Sequence, residues 1–253
     1  MTKIVDIPLL VFALSLIALS FSGQIGALIR LKWRPIQESE RQDLALVLAA
    51  TLTLLGLIIG FGFSMVVSSY DQRRSYEVAE ANAIGTEYVR AGLLPAGEVA
   101  RVREGLKNYL DQRVLFYQSS DANQLRRITF QTSQLGTDLW SIMEATAAKQ
   151  PTPTVALAVS GMNDVLNSRG YTEAAWQNRF PIAAWCLVIT IAIFCNLLVG
   201  YVSHERTEFL LLVLPLAVSI SFFLIAEIDS PRHGLIRVGP ENLIGLSASL
   251  RSK

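Results

Sequence analysis

Charge is scarce in this sequence. Asp, Glu, Lys and Arg make up 17% of its 253 residues, whereas soluble domains carry about 25%. The deficit is local: charged residues vanish from four windows and crowd into the segments between them, which excludes a uniformly apolar soluble core and marks spanning segments. Lys and Arg number 22 against 21 Asp and Glu, so there is no whole-protein basic footprint and nucleic acid is not an expected partner. Cysteine is nearly absent. Cys186 and Cys195 share one apolar window, which excludes a disulfide framework and a CxxC site and leaves them as small core residues. Of the two histidines, His204 and His233 fall in different loops, so a His-rich metal site is not expected. The chain also lacks GxxxxGK[ST], GxSxG and HExxH, and two loop histidines cannot supply a Ser/His/Asp set. Neither an enzyme nor a bound cofactor or metal is expected. Strand-like alternation, Asn-Gly hairpin signals and internal repeats are missing too, which leaves an all-α fold.

What is present is apolar sequence long enough to cross a bilayer. Span one runs from about Ile7 to Ile29, span two from Leu44 to about Ser69, span three from Phe180 to Val202 and span four from Phe209 to Ala226. Span one contains Ser22, Gly23 and Gln24 but no small-residue cleavage pattern, so it reads as a retained span and not a signal peptide. Spans three and four are joined so tightly that they must form an antiparallel hairpin. The expected organisation is an all-α membrane protein with four transmembrane helices in two pairs: residues 1–69 hold the first pair, 70–179 a helical extramembrane domain, 180–228 the second pair and 229–253 a C-terminal tail. Both termini then share one side with the middle domain.

Orientation follows from Lys and Arg near the span ends. One face carries Arg30, Lys32, Arg34, Arg41 and Arg206; the other has Lys3, Arg73, Arg74, Arg169, Arg179, Arg232 and Arg237, with Arg251 and Lys253 beyond. The total favours a cytoplasmic middle domain, although the flanks of span one taken alone argue the reverse.

The middle segment reads as helices. Span two and the run Asp71 to Arg90 form one continuous rod, ended at AGLLPAG by Gly92, Pro95 and Gly97. Val99, Val102, Leu106, Tyr109, Leu110, Arg113 and Tyr117 follow a helical stripe. Leu125, Ile128, Thr132, Leu135, Leu139, Ile142 and Thr146 form a heptad seam, available either for packing or for recruiting a partner. Pro151 and Pro153 stop that helix, and a further short one covers Val155 to Asn167.

Three groups of residues are candidates for function. Gly56, Gly60, Ser64 and Ser68 recur every four residues in span two, beside Phe61 and Phe63; Ala18, Ser22 and Gly26 repeat the pattern weakly in span one. Such a face is a helix-packing seam first and a pore lining with a hydrophobic constriction second. Beyond span two, Arg73, Glu77, Glu80 and Glu87 share a helix face. They read as a solvated charged face in which Arg73 and Glu77 pair. The alternative is a charged, ion-selecting ring in a cyclic oligomer, and a Glu-x-x-Glu half of a metal site is weakest because Glu-x-x-His partners are missing. At the end of span four, Glu227 and Asp229 sit where hydrocarbon meets water, with Arg232, Arg237, Arg73 or Arg74 as partners in a structural clamp or an ion-coordinating group. Asn196 in span three is an interhelical hydrogen-bond donor.

The residues GFGFS at 60–64, YDQRRSYEVAEANAIGTEYVR at 70–90, Leu94-Pro95 and EIDSPRHGLIRVGPENL at 227–243 together resemble the bacterial bestrophin-like family over nearly the whole chain. That resemblance implies a bacterial inner-membrane protein. Through the likeness to bestrophins it also implies a homo-oligomeric, pentameric channel for small inorganic ions, with four spans per subunit and a pore lined by span two and its extension. The bilayer and further copies of the chain are then its partners. No run of consecutive Asp or Glu follows span four, so a calcium clasp is not implied, and the mixed charges beyond span two imply no anion selectivity. A non-conducting scaffold or sensor acting through the helical domain is the alternative.

Overall fold

A computed structural model describes residues 6–32, 38–203 and 210–252. Lys3, Arg34, His204, Arg206 and Phe209 lie outside them. Eight α-helices occur among the described residues, and no strand: α1 Pro8–Lys32, α2 Glu38–Arg90, α3 Ala96–Gln118, α4 Ala122–Lys149, α5 Pro153–Gln177, α6 Ile182–Val202, α7 Leu210–Asp229 and α8 Glu241–Arg251, with a 3₁₀ turn at Ala91–Leu93. Four helices are long and apolar enough to cross a membrane. Span two and its charged extension are indeed one helix of 53 residues. The helix expected over 155–167 is longer at both ends, because Thr152 caps it by accepting from the Val155 amide and Pro153 sits in its first turn. Helix α8 was not foreseen; its eleven residues are few and its apolar stripe is short.

The chain divides into two compact units. Met1–Ser69 and Arg179–Arg237 form the first. Here α1 packs on both α6 and α7, and α6 on α7, so span one lies against the second pair of spans. The α1–α6 crossing is close because both helices put glycine there: a Cβ at Gly26 would collide with the Leu197 carbonyl, and one at Gly200 with the Gly23 carbonyl. Ser22 donates to the Ile193 carbonyl at 2.8 Å across the same crossing. The small-residue pattern of span one is thus used at Ser22 and Gly26, while Ala18 is exposed. Phe180, Trp185 and Phe222 stack edge-to-face within this unit. Its surface is the reverse of a soluble one: Ile17, Phe21, Leu57, Phe61, Leu187 and Phe194 are all more than half exposed, as a lipid-facing exterior requires.

Tyr70–Asn178 and Val238–Lys253 form the second unit, a bundle of the extension of α2 with α3, α4, α5 and α8. Its centre holds Ile84, Val102, Leu106, Tyr109, Leu139, Met143, Met162 and Val165, all at 1% exposure or less. Burying each such side chain stabilises the bundle by about 1.5–3 kcal/mol before entropy is counted. The heptad seam of α4 is spent here: Ile128, Thr132, Leu139 and Thr146 are buried, and Leu139 reaches Gly105 of α3.

Candidate functional site

Because α2 is unbroken, spacing alone fixes which residues share its faces, at about 100° per residue. Gly56, Gly60, Phe63, Ser64 and Ser68 all lie on one side and all are exposed, with Phe61 beside them at 66% exposure. A Cβ added at Gly56 or Gly60 would meet nothing within 4 Å. Among the described residues, the packing seam expected here is therefore not used at Gly56 or Gly60. The glycine that does pack is Gly62, on the opposite side, with the Phe180 ring 3.2 Å and Ile225 3.6 Å from the position of its Cβ. On the second unit's part of the helix, the same spacing carries the outward side through Asp71, Ser75, Val78 and Asn82, again all exposed.

Arg73, Glu77, Glu80 and Glu87 lie on the other side of the helix, together with Ile84, and none exceeds 1% exposure. The expectation of a solvated charged face, or of a ring facing water, is corrected by this burial. Glu77 accepts from the Asn242 amide at 2.9 Å, the Leu243 amide at 3.0 Å and Asn242 Nδ2 at 2.7 Å. It supplies the side-chain cap that Pro240, ahead of α8, cannot, and puts negative charge at that helix's amino end.

Glu80 holds the bundle's polar centre. Both of its oxygens are taken by the Arg113 guanidinium, whose Nη2 lies 3.3 Å from Oε2. Tyr117 donates its hydroxyl to Oε2 at 3.2 Å and Thr172 does so at 3.1 Å. Arg113 also reaches Glu173 at 3.3 Å, which Arg169 meets at 2.7 Å. Burial works against the Arg113 charge, but the Glu80 carboxylate against it outweighs burial and raises its pKa. Burial first, then the Glu80 charge, push the Tyr117 hydroxyl up, so it stays a donor. This network ties α2, α3 and α5 together.

Glu87 differs from both. Its two oxygens are buried with no hydrogen-bond partner among the described residues. Burial pushes its carboxyl up to about 8, with Arg90 pulling it down and Asp164 adding to the rise.

In the first unit, the carboxylates ending span four are both hydrogen-bonded. Asp229 accepts from the Phe180 amide at 2.8 Å and lies 3.8 Å from Arg179, which also pairs with Asp6 at 2.6 Å and donates to the Asp229 carbonyl. Arg179, ahead of span three, is thus a cation of this clamp that the sequence did not single out. Glu227 accepts from the amides of Leu235 and Ile236, closing the loop after span four over Gly234, where a Cβ would strike Glu227. Arg232 is half-buried, and its carbonyl accepts from Arg237 at 3.4 Å. Asn196 is buried and donates to the Ala192 carbonyl of its own helix at 2.8 Å.

Sequence reasoning passed over Arg113, Thr172, Glu173, Arg179 and Asn242 as functional partners. A signal existed for Arg113: a guanidinium in the middle of an apolar helical stripe needs a buried carboxylate. For Thr172 and Asn242 there was none, since ordinary polar residues on helices are mostly exposed.

A helical membrane protein with four helices apolar enough to span, whose longest helix leaves a small-residue face exposed and turns Glu77, Glu80 and Glu87 into its own bundle, is the class these features define. The Bestrophin-like domain family matches residues 16–243, and the chain belongs to it. Among solved structures, one point variant of a bacterial bestrophin homologue from Klebsiella pneumoniae is similar over 97% of this chain and 98% of that one, with a TM-score of 0.63 and 14% identity. A second variant of that homologue is similar over 95% and 97%, with a TM-score of 0.66 and 16% identity. At such identities the likeness is one of fold. No curated protein sequence matches the chain.

Proposed function

We propose that this chain assembles with copies of itself into an ion channel whose pathway is lined by the outward side of α2. The observation that carries the reading is that Gly56, Gly60, Phe63, Ser64 and Ser68 are exposed, and that a Cβ at Gly56 or Gly60 would meet nothing within 4 Å among the described residues. A small-residue face in a membrane is satisfied by another helix backbone or by water. Family membership supports the channel, and a closed ring puts every copy's α2 in an equivalent place around one axis. Five copies is the number the family resemblance implies. The rings of Phe63, at 40% exposure, stand as the hydrophobic constriction. Glu77 and Glu80 are committed inside the bundle, so Asp71, exposed on the outward side, replaces them as the charged group nearest the pathway. The count of basic residues supports a plasma-membrane protein with its middle domain cytoplasmic. The scaffold alternative rested on the α4 seam, which is occupied by internal packing.

Purified protein in planar bilayers should carry single-channel currents. Phe63→Ala should raise the open probability or conductance, and Asp71→Asn should shift the reversal potential in asymmetric salt. A folded, oligomeric protein that passes no current across ions and voltages refutes the proposal.

A further inference from the structure

We propose that Glu87 is a proton-operated joint between the end of α2 and α5: protonated, it packs closed against Gly161, and loss of the proton opens that contact. The geometry distinguishes Glu87 from its neighbours on the same helix face. Glu77 and Glu80 each meet several donors, whereas both Glu87 oxygens are buried with none among the described residues. The space the carboxyl fills exists only because α5 has glycine there, since a Cβ at Gly161 would overlap Glu87 Oε2 and come within 2.7 Å of Arg90 Nη1. An ionised carboxylate without donors in such a place is costly, while the neutral acid fits it.

The charged groups around it are few. Arg90 lies one turn on along its own helix, and Asp164 lies one turn beyond Gly161 on α5; these two act on it in opposite senses. Arg103 and Lys107 of α3 stand over the Tyr88 ring at 5.1 and 5.7 Å, and Arg103 donates to the Tyr88 carbonyl at 3.3 Å. Helix α8 presents the apolar Leu246 at Gly85.

The sign follows from linkage. The closed state holds its proton up to about pH 8, whereas an opened, hydrated Glu87 releases it near its ordinary value of 4.5. Opening therefore becomes easier as pH rises between those values, by up to about tenfold per pH unit, and levels off above the closed-state value. Below the lower value both states are protonated and pH has no effect.

The test is amide hydrogen exchange on the full chain in detergent, from about pH 5 to about pH 9 and corrected for the chemical exchange rate. Peptides covering 84–93 and 155–166 should lose protection across the window in wild type and show no such dependence in Glu87→Gln. Asp164→Asn, which removes the repelling charge, should move the upper midpoint to lower pH. Equal profiles in wild type and Glu87→Gln overturn the joint, as does an Asp164→Asn midpoint that stays put or rises. If Glu87→Gln does not fold, infrared titration of wild type and Asp164→Asn decides. A protonated-carboxyl band lost near pH 8, and earlier in Asp164→Asn, upholds the joint, and its absence at neutral pH refutes it. None of these readouts depends on ion conduction.

Discussion

Replacing Arg113 with methionine tests whether the network around Glu80 holds the helical bundle together. Both side chains of the pair are 0% exposed, so solvent cannot screen the change. Arg113→Met keeps the length of the side chain and its packing over the Phe116 ring, 4.4 Å from the guanidinium carbon, but takes the guanidinium from the Glu80 carboxyl and leaves it the hydroxyls of Tyr117 and Thr172. Removing one partner of a buried pair costs about 3–5 kcal/mol. At about 2–4 °C per kcal/mol for a chain of this size, the apparent Tm in detergent, followed by far-UV circular dichroism, should fall by roughly 6–20 °C. Glu80→Leu with Arg113→Met removes both charges and should recover most of the loss, because replacing a buried pair by apolar side chains is often neutral. The reasoning fails if Arg113→Met melts within about 2 °C of wild type, or if the two substitutions simply add, since contacting residues should couple by about 0.5–3 kcal/mol.

Gly200→Ala should force α1 from α6 and sharply lower the yield of folded protein on gel filtration, whereas Gly56→Ala and Gly60→Ala, which have open space in the single subunit, should leave each chain folded. Glu77→Ala takes away the acceptor of three donors at the start of α8. The loss of about 0.5–2 kcal/mol should make the segment from Val238 onward the first site of limited proteolysis, a change absent if α8 is held by its apolar side alone. Asp229→Ala leaves the buried Phe180 amide without this acceptor and should destabilise the membrane unit by about 1–3 kcal/mol, read as a lower Tm in detergent.

The four spans, the unbroken rod of α2 and the breaks at Pro95 and Pro153 were legible because each depends on local composition. Hydrocarbon excludes charge, and proline cannot continue a helix from within. Periodicity along α2 likewise separated Gly56, Gly60, Ser64 and Ser68 from Arg73, Glu77, Glu80 and Glu87 as two faces. What periodicity does not carry is the direction of a face. Glutamates at helical spacing look the same whether they meet water or a buried arginine from another helix, and here the guanidinium that meets Glu80 comes from Arg113 of α3, 33 residues along the chain. The same holds for glycine: Gly62 and Gly60 are indistinguishable in sequence, yet only Gly62 packs within the chain.

The sequence by itself determined the membrane class, the helical fold, the rod and the family, since these follow from hydropathy, helix-breaking residues and motif content. Only the tertiary structure decided that the acidic side of α2 turns inward, that Arg179 clamps Asp229, that Glu77 caps α8 and that Glu87 meets no donor among the described residues. Each of those depends on which distant polar group burial brings within hydrogen-bond reach, and once water is removed that pairing, not the residue's own polarity, sets what the residue can do.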